Sequence, residues 1–145
     1  MHCSMKRALA ILLLVAGAVS VFWVARAWTQ RQLDQNVARF DAQADNLILS
    51  LQQYREFLGS YPTGNNPAIA KALLGRGEKK VVILTARNHC QLDEKGQILD
   101  PWGTPLQFYF SDTEVLIRSA GPNKLWEDTA VPFADDLYRS APKTK

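Results

Sequence analysis

Asp100-Pro101-Trp102-Gly103-Thr104-Pro105, continuing through Leu106-Gln107-Phe108-Tyr109-Phe110 and returning as Glu114-Val115-Leu116-Ile117-Arg118-Ser119, reads as a tight corner feeding a β-hairpin. Pro101 fixes φ at the second position of the corner, Gly103 can take a positive φ, and Trp102 folds apolar area over the core. Asp100, Pro101, Trp102 and Gly103 are therefore expected to form a structural turn. Leu106, Phe108 and Phe110 alternate with Gln107 and Tyr109, the period of a strand with one buried face. Ser111-Asp112-Thr113 supplies the reversal, and Glu114 to Ser119 answers across it. Upstream, Val81 to Thr85 is β-branched and apolar, and Asp93-Glu94-Lys95-Gly96 is turn chemistry. Together these predict an antiparallel sheet of three to four strands within residues 80–119. A sheet that small needs a helix over one face to be stable.

The cover is visible upstream. Leu33, Val37, Phe40, Ala44, Leu47, Leu51, Tyr54 and Leu58 recur at alternating spacings of four and three, which places them on one stripe of a helix. Gly59 stops that helix and Pro62 blocks its continuation. The mixture of Phe, Ala and Tyr along the stripe suits packing on the chain's own sheet better than a coiled-coil seam, where Leu or Ile would recur. Asn66-Pro67 reads as an N-cap followed by proline at the first helical position, opening a short helix at 67–74 that Gly75 and Gly77 end. The fold class expected is α+β, a long N-terminal helix packed on a small antiparallel sheet.

Ala8 to Ala25 is an apolar run of roughly 18 residues, just enough to span hydrocarbon. Lys6 and Arg7 precede it, so the expected topology is single-pass, with the N-terminus cytoplasmic and the remainder exported. The competing reading is a cleaved secretory signal, since Ala25-Arg26-Ala27 meets the small-x-small rule; Arg26 beside the cut and the length of the run favour a retained anchor. No Pro or Gly lies between Val19 and Leu58, so anchor and soluble helix are expected to form one rod of roughly 75 Å. The domain reading is a tail and anchor at 1–28 and a head at 29–145, comprising a helix at 29–58, the short helix, the sheet and a terminal acidic loop at 120–139.

At 145 residues the chain has room for one anchor and one compact domain. Lys6 and Arg7 account for part of the +3 charge, and all 14 acidic residues follow Arg26, so the exported portion is near neutral. No cluster of Lys and Arg offers a phosphate-binding surface, so nucleic acid is not an expected partner. Cys3 and Cys90 fall on opposite sides of the bilayer in this topology and cannot pair within one chain. Cys90 reads as an inert buried thiol. His89 adjoins Cys90, but neighbours on a strand point to opposite faces, which argues against a nucleophile and base pair. The chain is therefore read as non-enzymatic.

From Gly121 to Arg139 the chain carries Glu127, Asp128, Asp135 and Asp136 against Lys124 and Arg139. A hard cation such as calcium needs six to eight oxygens, and Asn123, Asp128, Asp135 and Asp136 could supply the side-chain share. The alternative is a solvated surface loop, because Asp and Asn are ordinary turn residues and the spacing is not that of an EF-hand.

The order of these parts resembles the major pseudopilin of type II secretion, the general secretion pathway protein G family. The resemblance runs from about Leu47 to Tyr138 through Leu51-Gln52-Gln53-Tyr54, Tyr61-Pro62-Thr63, Asp100-Pro101-Trp102-Gly103-Thr104-Pro105, Ser119-Ala120-Gly121-Pro122-Asn123 and Asp135-Asp136-Leu137. It implies a structural subunit of a secretion or pilus-like assembly at the bacterial inner membrane, with a periplasmic head. Its partners would be other pseudopilin or secretion-system subunits, self-association would run through the N-terminal helix, and the terminal loop would hold one calcium. Two departures stand out. Asn123-Lys124 replaces the family's Asp-Gly, and the N-terminus lacks the Gly, Phe and early Glu of a prepilin peptidase site, since no acidic residue precedes Asp34. A pseudopilin-type head reused on a plain anchor as an envelope binding or adaptor protein is the alternative expectation.

Overall fold

The computed structural model of the protein describes residues 2–83, 90–112, 114–127 and 134–141, with side chains from Ala16 onward. The chain divides into two compact units, Met1–Gln35 and Asn36–Lys145. Helix α1 (His2–Leu58) contributes to both.

In the first unit α1 presents Val19, Val21, Phe22, Trp23, Val24 and Trp28 at its surface. The Phe22 and Trp23 rings meet edge to face at 6.4 Å. Ser20 and Thr29 turn their hydroxyls back onto the carbonyls of Ala16 and Ala25, leaving no polar side-chain atom of theirs facing outward unpaired. Among the described residues no helix is long and apolar enough to cross a membrane. Within the expected span Ala8 to Ala25, the side chains of residues 8–15 lie outside those described.

The second unit is α+β. The striped face of α1 is its floor: Phe40, Ala44, Leu47, Ile48, Leu51 and Tyr54 are buried in a single cluster with Ile69, Leu73, Ile83, Ile98, Leu106, Val115 and Ile117. From Phe40 to Leu58 the predicted stripe thus packs on the chain's own head, and Ile48 widens it; Leu33 and Val37 are not part of that core. Gly59 ends α1 at φ +81°, its N–H donating to the Arg55 carbonyl at 2.7 Å.

Helix α2 (Asn66–Leu73) lies within one residue of its expected range, but its cap is shifted. The N-cap is Asn65, whose Oδ1 accepts from the Ala68 N–H; Pro67 has no N–H to offer. Asn66 is freed for another task. Its amide donates to the carbonyls of Ile98 and Leu106, and its Oδ1 accepts from the Ile98 N–H at 2.6 Å. One side chain thereby serves three backbone groups beside the point where the Leu106 N–H donates to the Ile98 carbonyl at 2.8 Å. Asn66→Ala should lower stability by about 2 kcal/mol, because it orphans buried backbone groups. Asn65→Ala should cost less, about 1 kcal/mol for a single cap. Paired urea melts of the two variants test the order.

The sheet has three strands, β1 (Gln107–Phe110), β2 (Val115–Ser119) and β3 (Leu137–Ser140), antiparallel and in chain order. Phe108 faces Ile117 in the first pair, and Arg118 faces Tyr138 in the second. Along β2, Val115, Ile117 and Ser119 turn inward, and Leu116 and Arg118 are half-buried on the other face. Two expectations are corrected. The third strand comes from Leu137–Ser140, a segment expected to begin inside the terminal loop at 120–139; it is a short edge strand whose single inward aliphatic residue gives little alternation to read. The strand expected at Val81 to Thr85 is, in its described part, one bridge between Val82 and Leu74, and Leu84 and Thr85 lie outside the described residues. β3 is also tied to α1: Arg139 forms a two-pronged pair with Asp45 at 2.7 and 3.0 Å, and its hydrogen bond holds the Asp45 carboxyl below its ordinary range.

Candidate metal centre

The corner at 100–103 forms as the sequence predicts. The Gly103 N–H donates to the Asp100 carbonyl, Gly103 sits at φ +84°, and Trp102 packs half-buried against the core. What the sequence did not disclose is the Asp100 side chain. It is 2% exposed. Its Oδ1 accepts from the N–H groups of Trp102 and Thr104 at 2.9 and 2.8 Å, and its Oδ2 accepts from the Ser119 hydroxyl at 2.6 Å. Ser119, fully buried at the inward-facing end of β2, accepts in turn from the Gly121 N–H at 3.1 Å. The two motifs, 19 residues apart in sequence, are therefore joined by one buried hydrogen bond.

Gly121 then turns the chain at φ +65°. A Cβ there would lie 2.2 Å from the Asp135 carbonyl oxygen, so only glycine admits this approach. The loop leaves through Lys124 at φ +62° and returns as 134–136 beneath the starting point. The Asp135 Oδ2 accepts from the Asn123 N–H at 3.1 Å, and Glu127 accepts from the Asp135 N–H at 3.0 Å.

Three carboxylates converge here. Glu127, Asp135 and Asp136 each offer an oxygen, and these oxygens lie within 4.8 Å of one another. Two ligands on opposite sides of one calcium stand roughly 4.8 Å apart, so the group is compact enough to share an ion. The Oδ1 atoms of Asp135 and Asp136 are buried and, among the described residues, lack a hydrogen-bond partner, an arrangement that ordinarily costs stability. One positive group is adjacent. Arg118 donates to Asp136 Oδ2 and to the Glu127 carbonyl, and its guanidinium lies 5.3 Å from the ring centres of both Trp126 and Tyr138. Partial burial disfavours charge on Arg118, but bonds with Tyr109 and Asp136 outweigh it and raise its pKa. Arg118 offsets one of the three negative charges and leaves the two orphaned oxygens free of it.

Of the expected ligands, Asp135 and Asp136 meet. The Asn123 Oδ1 instead accepts from the Leu125 N–H at 2.7 Å, a turn-closing bond, and Asp128 lies outside the described residues. Glu127 was noted in the sequence only as part of the acidic balance, and the fold brings it to the group because the chain doubles back at Gly121 and Lys124. Elsewhere, Cys90 is half-buried, and burial pushes its thiol up to about 11, so it is protonated and a poor nucleophile at neutral pH. His89 lies outside the described residues. Comparison of the chain with family models, curated proteins and solved structures returns no match.

Proposed function

We propose that the chain is a non-enzymatic, pseudopilin-like structural subunit of a type II secretion or related pilus-like assembly, anchored at the bacterial inner membrane with its head in the periplasm. The observation that carries this reading is the buried Asp100–Ser119 bond, which makes one structural unit of the Asp-Pro-Trp-Gly and Ser-x-Gly-Pro motifs on which the resemblance rests. A long helix covering a three-stranded antiparallel sheet supports it, as does the left-handed backbone at Lys124, the place where the resemblance implies glycine. In a functioning assembly α1 would supply the packing element, meeting other pseudopilin or secretion-system subunits or further copies of itself. Filaments recovered when the chain is overproduced with secretion components would support the proposal. A chain that stays monomeric and captures a single envelope protein would favour an adaptor instead, and metal-dependent turnover of any substrate would overturn both.

The same reading makes calcium the occupant of the terminal loop, held by Glu127, Asp135 and Asp136 with backbone carbonyls completing the shell. The two orphaned carboxylate oxygens are what an ion would satisfy. Calcium would add no reactivity; it would neutralise the loop and lock it against β2 and β3. A ligand bound only by the folded form stabilises it by mass action, about 1.4 kcal/mol at ten times Kd. Melting the whole chain in detergent with roughly 1 mM calcium should therefore raise Tm by several degrees over the same sample in chelator. An unchanged midpoint would remove calcium from the proposal.

A further inference from the structure

We infer that Asp100 and Ser119 are positioning residues for the cation site: the corner at 100–103 sets the geometry of the carboxylate group of Glu127, Asp135 and Asp136 through a one-way chain of buried hydrogen bonds. The inference rests on the calcium reading above. Direction is the first point. Asp100, as a carboxylate, can only accept, and it takes two backbone N–H groups and the Ser119 hydroxyl. The Ser119 proton is thus committed to Asp100, which turns an oxygen lone pair to the Gly121 N–H. A buried carboxylate compensated only by neutral donors is costly, and asparagine would satisfy the corner more cheaply. Asparagine would also present an N–H where the Ser119 hydroxyl now finds its acceptor, so the serine proton loses the partner that holds the hydroxyl oriented toward Gly121.

Contact is the second point. Gly121 is buried and lies so close to Asp135 that a Cβ would meet the Asp135 carbonyl and come within 3.3 Å of its Cγ. Where Gly121 sits therefore determines where Asp135 can sit, and with it the carboxylate that joins Glu127 and Asp136 and whose buried Oδ1 has no hydrogen-bond partner among the described residues. Ligand spacing of a few tenths of an ångström separates a site that holds calcium from one that does not. Among the described residues Asp100 and Ser119 form no hydrogen bond with Glu127, Asp135 or Asp136; they act through Gly121.

Calcium titration of the whole chain in detergent, followed by calorimetry, tests this on Ser119→Ala, Asp100→Asn and Ser50→Ala. Ser50 is the control: it is as buried as Ser119, and among the described residues its hydroxyl donates to the Asn46 carbonyl within α1. Both serine variants should melt lower in chelator. Ser119→Ala and Asp100→Asn should bind calcium at least tenfold more weakly than the unaltered chain, and Ser50→Ala within twofold of it. Affinity equal to that of the unaltered chain in the two loop-linked variants, or an equal loss in Ser50→Ala, overturns the inference. Should Ser119→Ala fail to fold by circular dichroism, Asp100→Asn, which keeps the shape of the corner, decides alone. An unaltered chain that binds no calcium defeats the calcium reading itself, and the inference with it, before any variant is examined.

Discussion

Asp136→Ala should lower the stability of the folded chain by roughly 3 kcal/mol in chelator and abolish its response to calcium. Its side chain is 1% exposed and forms the ion pair with Arg118, whose side chain is 17% exposed. Removing one partner of a buried pair strands the other charge, at a cost of roughly 3–5 kcal/mol when desolvation is complete. Arg118 keeps the Glu127 carbonyl, two aromatic faces and some water, which places the loss at the lower end. Removing both charges has a different consequence. Arg118→Met combined with Asp136→Leu should recover much of the loss, since no buried charge is left unpaired, but should stay blind to calcium. The cycle separates two roles of one carboxylate, holding the loop to β2 and offering an oxygen to an ion. If Asp136→Ala melts within 0.5 kcal/mol of the unaltered chain, the pair does not hold the loop.

The sequence disclosed most where a residue's role follows from its neighbours. The stripe from Phe40 to Tyr54, the stop at Gly59, the corner at Gly103 and the alternation along β1 are local signals, and each takes its expected form. Roles set by distant partners were hidden. Asn66 reads as a cap because Asn-Pro opens helices, yet its amide is recruited by Ile98 and Leu106, some 32 and 40 residues away, and the capping passes to Asn65. In sequence β3 reads as the end of an acidic loop because four residues with one inward aliphatic carry almost no period, and only pairing with β2 makes them a strand. The candidate site shows the same division. Asp135 and Asp136 are adjacent and visible as a pair, whereas Glu127 joins them through reversals at Gly121 and Lys124 that no spacing rule encodes. Asp100 and Ser119 could each be read as turn or strand residues, and their contact is purely tertiary.

Leu47→Ala should destabilise the chain by about 3–4 kcal/mol, and Leu49→Ala, two residues along the same helix, by less than 0.5 kcal/mol. The chemistry of the two substitutions is identical, so the difference measures environment alone. Leu47 is fully buried among the side chains that α1 shares with α2 and β2, and the core would close only in part over the space left behind. Leu49 is 46% exposed and leaves no cavity. Chemical denaturation of both variants at unchanged m-value gives the comparison. The contrast bears on function because a helix can spend each side chain only once. Residues committed to the head, Leu47 and Leu51 among them, are not free to meet another subunit, whereas Leu49 and Phe57 on the exposed side are. In a pseudopilin-like assembly Leu49→Ala should therefore leave Tm in place and weaken association, and Leu47→Ala should weaken association only through loss of fold. Equal melting losses at the two positions would mean that the head does not rest on this face of α1, and the structural account of the chain would fail with it.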